Sequence, residues 1–279
     1  MTKRRLAYSA LLLCAAIGWT NTDQASAAGL TITGTTKFSM LDGGPSDMDG
    51  CVNGILEVES LTVKSTGVLT LNTESARFAV HGDILVENSG NIRIPSIINS
   101  DAGPTVTFST FGNFTMKNDA LIRSHGRLRG GRIIVMALGN IELKDRAKIE
   151  AHNAALNIVA GNIEMLAHGT IRLVNSTNRV TANGTAGGLV TLCSGASACP
   201  AIYINSVVNA TGFKGPGGQV KISAEAGGVQ VVGEPYRIAA SGTQGNGTIM
   251  FFAHTTVSPN PPVTNPAAMV TALGNPCPP

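Results

Sequence analysis

"ALGNIELKDRAKIEAHNAALNIVAGNIEMLAHGTIRL", Ala137 to Leu173, writes Gly-Asn-Ile-Glu at 139–142 and again at 161–164. Around these phrases apolar residues stand at every second position, as in Ile141 and Leu143 or Ile171 and Leu173. Period two over a few residues is the signature of a short strand with one buried face. Gly and Asn at the breaks supply residues that tolerate the positive φ of a sharp corner.

The same grammar extends in both directions. Gly-Asn followed by an apolar residue also occurs at Gly90-Asn91-Ile92 and Gly112-Asn113-Phe114, so successive copies stand roughly 22 to 27 residues apart. A second phrase, Gly-Gly-x before alternating apolar residues, begins at Gly130, Gly187 and Gly217. Short alternating strands continue through Leu61/Val63, Ile84/Val86, Ile92/Ile94, Val220/Ile222 and Val229/Val231, with hardly a window of sustained helical spacing after the N-terminal segment. Repetition of this kind predicts an all-β single-stranded parallel β-helix with coils of about 22 to 30 residues, since one coil alone cannot bury its inward face. A β-sandwich or jelly roll also uses many short alternating strands and is the alternative, although it does not require the repeated Gly-Asn-Ile.

The run Gly130-Gly-Arg-Ile-Ile-Val-Met-Ala-Leu-Gly-Asn-Ile-Glu-Leu143 resembles the repeats of right-handed β-helices in bacterial surface and secreted proteins, such as filamentous haemagglutinin-type adhesins and autotransporter passenger domains. The resemblance covers roughly Ile55 to Phe252 and concerns the fold. It implies a surface or extracellular role. The chain departs from those families in having no Asn-Pro-Asn-Gly-type motif near the mature N-terminus and no C-terminal barrel pattern, so self-export is not expected.

The ends frame this core. Met1-Thr-Lys-Arg-Arg, an apolar run from Leu6 to Trp19 and Ala25-Ser-Ala-Ala28 follow the order of a secretory signal peptide, expected over 1–27. The run is too short for a membrane helix, and no transmembrane anchor is expected. A cap is expected over 28–54, the β-helix over 55–255, and a tail over 256–279 whose seven prolines disfavour added strands. Removing the signal takes Lys3, Arg4, Arg5 and Asp23 with it and lowers the formal charge from +3 to +1. So weak a field argues against nucleic acid as a partner. Aromatic residues make up 4% of the chain and the one tryptophan, Trp19, lies in the signal, which counts against a stacked sugar pocket. Four cysteines remain in the exported chain. Cys193 with Cys199, and Cys51 with Cys277, are the expected disulfides, other pairings staying open.

Candidate sites are few. If the Gly-Asn phrases stack, Arg93, Thr115, Glu142 and Glu164 line up, and Glu142 and Glu164 become neighbouring carboxylates about 5 Å apart. That spacing suits a retaining glycosidase pair. It suits equally the plain wet face of a strand. Arg123, His125, Arg127, Arg129 and Arg132 form a basic strip that can hold an anionic polysaccharide, or supply Arg127 as the base of a lyase; a corner of solvated charges is the simpler reading. No Asp-Asp pair accompanies Ser124-His125-Gly126, which argues against galacturonase-type sites. Asp47-Met-Asp-Gly50 lacks the closing glutamate of a calcium loop, and the five histidines are scattered, so no metal or other cofactor is expected. The expectation is an exported, non-catalytic structural or adhesion protein that binds a surface, a polysaccharide or another envelope protein. The alternative is a polysaccharide hydrolase or lyase.

Overall fold

Alternation becomes architecture in the computed structural model, which describes residues 29–39, 51–52, 55–72, 75–94, 103–125, 129–151, 159–175, 177–232, 237–259 and 264–272. A full coil contains three strands. The first is six residues long, as in Thr105–Thr110, Arg132–Ala137, Asn162–Ala167, Leu189–Ser194, Gln219–Ala224 and Thr248–Ala253, and these strands build sheet 1. The second has three residues, as in Phe114–Met116, Ile141–Leu143 and Ile171–Leu173, and builds sheet 2. The third, as in Asn91–Ile94, Leu121–Ser124, Lys148–Glu150 and Arg179–Thr181, builds sheet 3. Among the described residues the sheets have ten, nine and eight strands, and there is no helix. Every strand pair among the described residues is parallel except Cys51–Val52 against Ile55–Val58. The chain is therefore a parallel β-solenoid, and the antiparallel sandwich is excluded.

Register shows where the coil length comes from. Ser75, Thr105, Arg132, Asn162, Leu189, Gln219 and Thr248 share one row of sheet 1, so successive coils span roughly 27 to 30 residues. A shorter coil runs from Ile55 to its register partner Arg77. It is not one of the intervals between Gly-Asn phrases. Gly112-Asn113 and Gly139-Asn140 do sit at the same corner, before sheet 2, but Gly90-Asn91 leads into sheet 3 and Gly161-Asn162 into sheet 1. The phrase is used at three corners, and its spacing mixes them.

Inward residues form continuous columns along the axis. Leu56, Phe78, Phe108, Val135, Met165, Leu192, Ile222 and Phe251 stack in sheet 1, and Ile84, Phe114, Ile141, Ile171, Ile202 and Val229 in sheet 2. All of them are buried. Phe78 and Phe108 stack with centroids 5.1 Å apart, and Phe108 meets Phe114 at 6.0 Å. Each such side chain contributes about 1.5–3 kcal/mol when fully buried. No coil completes this core alone.

The corners explain the glycines and asparagines. Gly131, Gly161, Gly188, Gly218 and Gly247 stack at the entry to sheet 1, where each backbone presses on the carbonyl of the coil before. That column is the true repeat behind the Gly-Gly-x phrase. At the corner before sheet 2, side-chain oxygens form a ladder. Asp83 Oδ1 accepts the Asn113 N–H at 2.6 Å, Asn113 Oδ1 accepts that of Asn140 at 2.9 Å, and Asn140 Oδ1 accepts that of Thr170 at 2.8 Å. A backbone donor that the strand ladders leave over is thus satisfied once per coil. Between sheets 2 and 3 the turn residues Asn88-Ser89, Asn118-Asp119 and Asp145-Arg146 have φ of 51 to 69°, the left-handed region that Asn and Asp tolerate best.

Both ends depart from the expected boundaries. Leu30–Ile32 already pairs with Leu61–Val63, and Thr35–Ser39 with Val68–Asn72, so the segment expected as a cap contributes strands. At the other end Met269–Ala272 adds to sheet 1 beside Met250–Ala253. This stretch is free of proline, and a proline-rich tail can still donate a strand at a sheet edge. The signal segment 1–27 lies outside the described residues. No helix among the described residues is long and apolar enough to cross a membrane.

Candidate functional site

Outward side chains stand in rows along the solenoid, about 4.8 Å from coil to coil. Glu142 and Glu164 belong to different rows on different sheets. Glu142 lies in sheet 2 between Thr115 and Arg172. Glu164 lies in sheet 1 between Ile134 and Thr191. Each carboxylate has its own cation: Lys144 Nζ is 2.8 Å from Glu142, and Arg132 meets Glu164 at 2.7 Å through Nη2 and donates from Nε at 2.9 Å. The expected stack of Arg93, Thr115, Glu142 and Glu164 is corrected accordingly. Only Thr115 and Glu142 are neighbours, because the Gly-Asn phrases preceding these residues belong to different corners.

The basic strip disperses for a related reason. Arg123 belongs to sheet 3 and Arg132 to sheet 1, with the chain turning a corner between them. His125 bridges Gly130 in an antiparallel contact, and Arg129 bridges Val159. Arg127 lies outside the described residues. Five residues close in sequence do not share one face.

Sheet 3 assembles a different basic set. Arg123 pairs in register with Arg93 on one side and with Glu150 on the other. Its guanidinium donates to Glu150 Oε2 from Nε at 2.8 Å and from Nη2 at 2.5 Å. The Glu150 side chain is 9% exposed and the Arg123 side chain 43%, so the carboxylate of this charge-assisted pair is largely shielded from water while the guanidinium reaches solvent. Two residues away along the strands, Lys148 pairs in register with Arg179. Arg93 and Arg179 are exposed and Lys148 is half-buried. The sequence reading missed Arg93, Lys148 and Arg179 as a set. A usable signal existed: each stands in the third strand of its coil, beside the inward residues Ile92, Ile149 and Val180.

Two further surfaces are distinct in chemistry. On sheet 2 the Arg172 guanidinium lies 5.7 Å from the centroid of the Tyr203 ring, its neighbour in register. On sheet 1 Met136, Leu166 and Cys193 share an outward row, with Phe111 and Leu138 exposed close by.

Cys193 carries a free thiol, so the expected Cys193–Cys199 disulfide is not formed. Burial, reinforced by the Glu225 carboxylate that its sulfur approaches at 3.6 Å, pushes the Cys193 pKa up to about 12. A thiol so firmly protonated is a poor nucleophile. Cys51, beside Leu56, is six strand steps from the row of Leu192, roughly 30 Å at about 4.8 Å per step. That distance keeps it from Cys193 and Cys199 in the coil of Leu192, because a disulfide needs Cα atoms within about 7 Å. Cys277, and with it the expected Cys51–Cys277 bridge, lies outside the described residues. Among the described residues no three His, Cys, Asp or Glu side chains converge as metal ligands.

Comparison of the chain with protein-family profiles, curated proteins and solved structures found no match.

Proposed function

We propose that this chain is an exported, non-catalytic solenoid that uses its flat outer faces to hold a polysaccharide of the cell envelope or its surroundings. The supporting observation is the register: outward side chains repeat once per coil in straight rows, a periodic surface suited to a repeating polymer. The hydrolase reading loses the carboxylate pair it rested on, since Glu142 and Glu164 stand on different sheets and each meets its own cation. The direct test is affinity electrophoresis of the purified mature protein against neutral and acidic polysaccharides, with mass spectrometry of any soluble products. Retardation without release of oligosaccharides is expected. Oligosaccharides that appear with the native protein and vanish with a Glu142→Ala, Glu164→Ala double variant would establish an enzyme instead.

Export carries with it an oxidised cysteine pair. Cys199 has no free thiol. Its sulfur lies 3.4 Å from Thr255 Oγ1, towards the C-terminal coils, and Cys193 is unbonded. Peptide mapping without reductant should yield no linked Cys193–Cys199 peptide, with Cys193 alkylated only after unfolding; a linked Cys193–Cys199 peptide would overturn this expectation.

A further inference from the structure

We propose that the outer face of sheet 3 is the polymer site and that its ligand is a linear anionic polysaccharide, held by Arg93, Arg123, Lys148 and Arg179; this rests on the reading of the protein as a polysaccharide-binding rod. These four residues come from four successive strands of sheet 3. Arg93 and Arg123 occupy one outward row, and Lys148 and Arg179 the row two residues earlier along the strands. The result is one cation per coil along a shallow diagonal, about 4.8 Å apart along the axis and about 7 Å apart between the rows. A chain of acidic sugars laid along the rod meets a cationic group at each coil, that of Arg123 being already bonded to Glu150.

The charge balance of this face points to an external anion. Like charges directly opposite one another on adjacent strands destabilise a sheet. Arg93 beside Arg123 and Lys148 beside Arg179 are two such pairs on one face. Glu150 offsets one of the four charges through its bonds to Arg123. Arg93, Lys148 and Arg179 make no ion pair among the described residues, whereas several cations elsewhere meet carboxylates, Lys117 with Glu87, Arg132 with Glu164, Lys144 with Glu142 and Arg146 with Asp119. Other cations without an ion pair there, such as Arg172 on sheet 2 and Lys221 on sheet 1, have no cation beside them in register. Three cations without a carboxylate partner among the described residues therefore lie within two adjacent rows, on a chain whose formal total is only +3 with its signal and +1 without it. The fixed Arg123–Glu150 pair holds one guanidinium ready at the centre of the patch.

Polysaccharide is favoured over nucleic acid by what stands between the cations. In the strands that carry them, the other outward positions are Asn91, Leu121, Glu150 and Thr181, with no aromatic ring on which a base could stack. Single-stranded nucleic acid is ordinarily held by such rings.

The experiment compares the native protein with an Arg93→Gln, Arg179→Gln double variant in affinity gels containing alginate, a polyuronate, or dextran, a neutral polymer. Both substituted residues are exposed and removing like charge relieves repulsion, so the melting temperature of the variant should equal or exceed that of the native protein. If it falls instead, Lys148→Gln replaces the double variant. Alginate should retard the native protein, the effect should weaken with added salt, and the variant should bind about tenfold or more weakly. A Lys221→Gln control on sheet 1 should bind as the native protein does. Equal alginate binding by native protein and variant would overturn the site. Retardation by dextran alone, unchanged in the variant, would overturn the site and the anionic ligand while leaving the rod reading intact. Binding to neither polymer would overturn both. Single-stranded DNA that displaces alginate at lower concentration than free alginate does would make nucleic acid the ligand.

Discussion

Alanine at Gly188 is expected to lower stability by about 3 kcal/mol, at the upper end of ordinary point substitutions. For a domain of this size that is a fall in the thermal midpoint of about 6–12 °C, readable by circular dichroism. A Cβ at Gly188 would stand 1.9 Å from the Gly161 carbonyl oxygen, with the Ala160 and Ala182 methyl groups at 3.0 and 3.1 Å. The first of these is backbone, and it leads directly into the strand Asn162–Ala167, which is hydrogen-bonded on both sides, so it cannot step aside. Moving the Gly188 strand instead would disturb Gly218, whose own added Cβ would stand 2.0 Å from the Gly188 oxygen. Gly34 provides the control, because a Cβ added there would meet nothing within 4 Å. Gly34→Ala should stay within about 0.5 kcal/mol of the native protein. If the two substitutions melt alike, the stacked glycine column is not what holds the coils at this spacing.

Asn178→Leu should cost about 1–3 kcal/mol, for an opposite reason. Asn178 is fully buried, its Oδ1 accepts the Ala147 N–H at 3.0 Å, and its Nδ2 donates to the Leu143 carbonyl at 2.7 Å. The side chain bonds both backbone groups of the preceding coil across the corner from sheet 2 to sheet 3. Leucine is close in size but makes neither bond. The Ala147 N–H keeps its bond to the Lys144 carbonyl at 3.1 Å, and the Leu143 carbonyl still accepts the Val174 N–H at 3.0 Å, so the loss is that of two buried hydrogen bonds at about 0.5–1.5 kcal/mol each. The comparison is Asn118→Ala, where the bond to Asn88 Oδ1 at 2.6 Å is exposed and water can replace it; that loss should stay near about 1 kcal/mol or below. Chemical denaturation of both variants reads the difference. Equal midpoints would mean that burial of Asn178 is not what gives its hydrogen bonds their value.

Such corner residues mark the limit of one-dimensional reading. Strand character was legible because alternation is local: Ile141-Glu-Leu143 must bury Ile141 and Leu143 and expose Glu142 whatever surrounds them. The glycine phrases were legible too, because close backbone approach excludes every other residue. Asn178 was not, since Asn in Asn-Arg-Val looks like any turn residue until its burial is known. The Glu142 and Glu164 stack misled because identical words, Gly-Asn-Ile-Glu, serve two different corners. A repeated phrase reports a repeated local conformation. It does not report position within the coil.

The basic face shows the same division. Arg93, Arg123, Lys148 and Arg179 are scattered over four coils, and no short window of sequence contains them. Coils of unequal length, with a slightly different corner in each, decide which cation meets which. By itself the sequence determined that strands form, which of their faces is buried, and that they must stack to have a core, because these follow from side-chain period and hydrophobic burial. Only the tertiary structure decided which outward residues become neighbours, because register is set by corner length and by close contacts between coils, and a small difference in corner length moves a charge to another face.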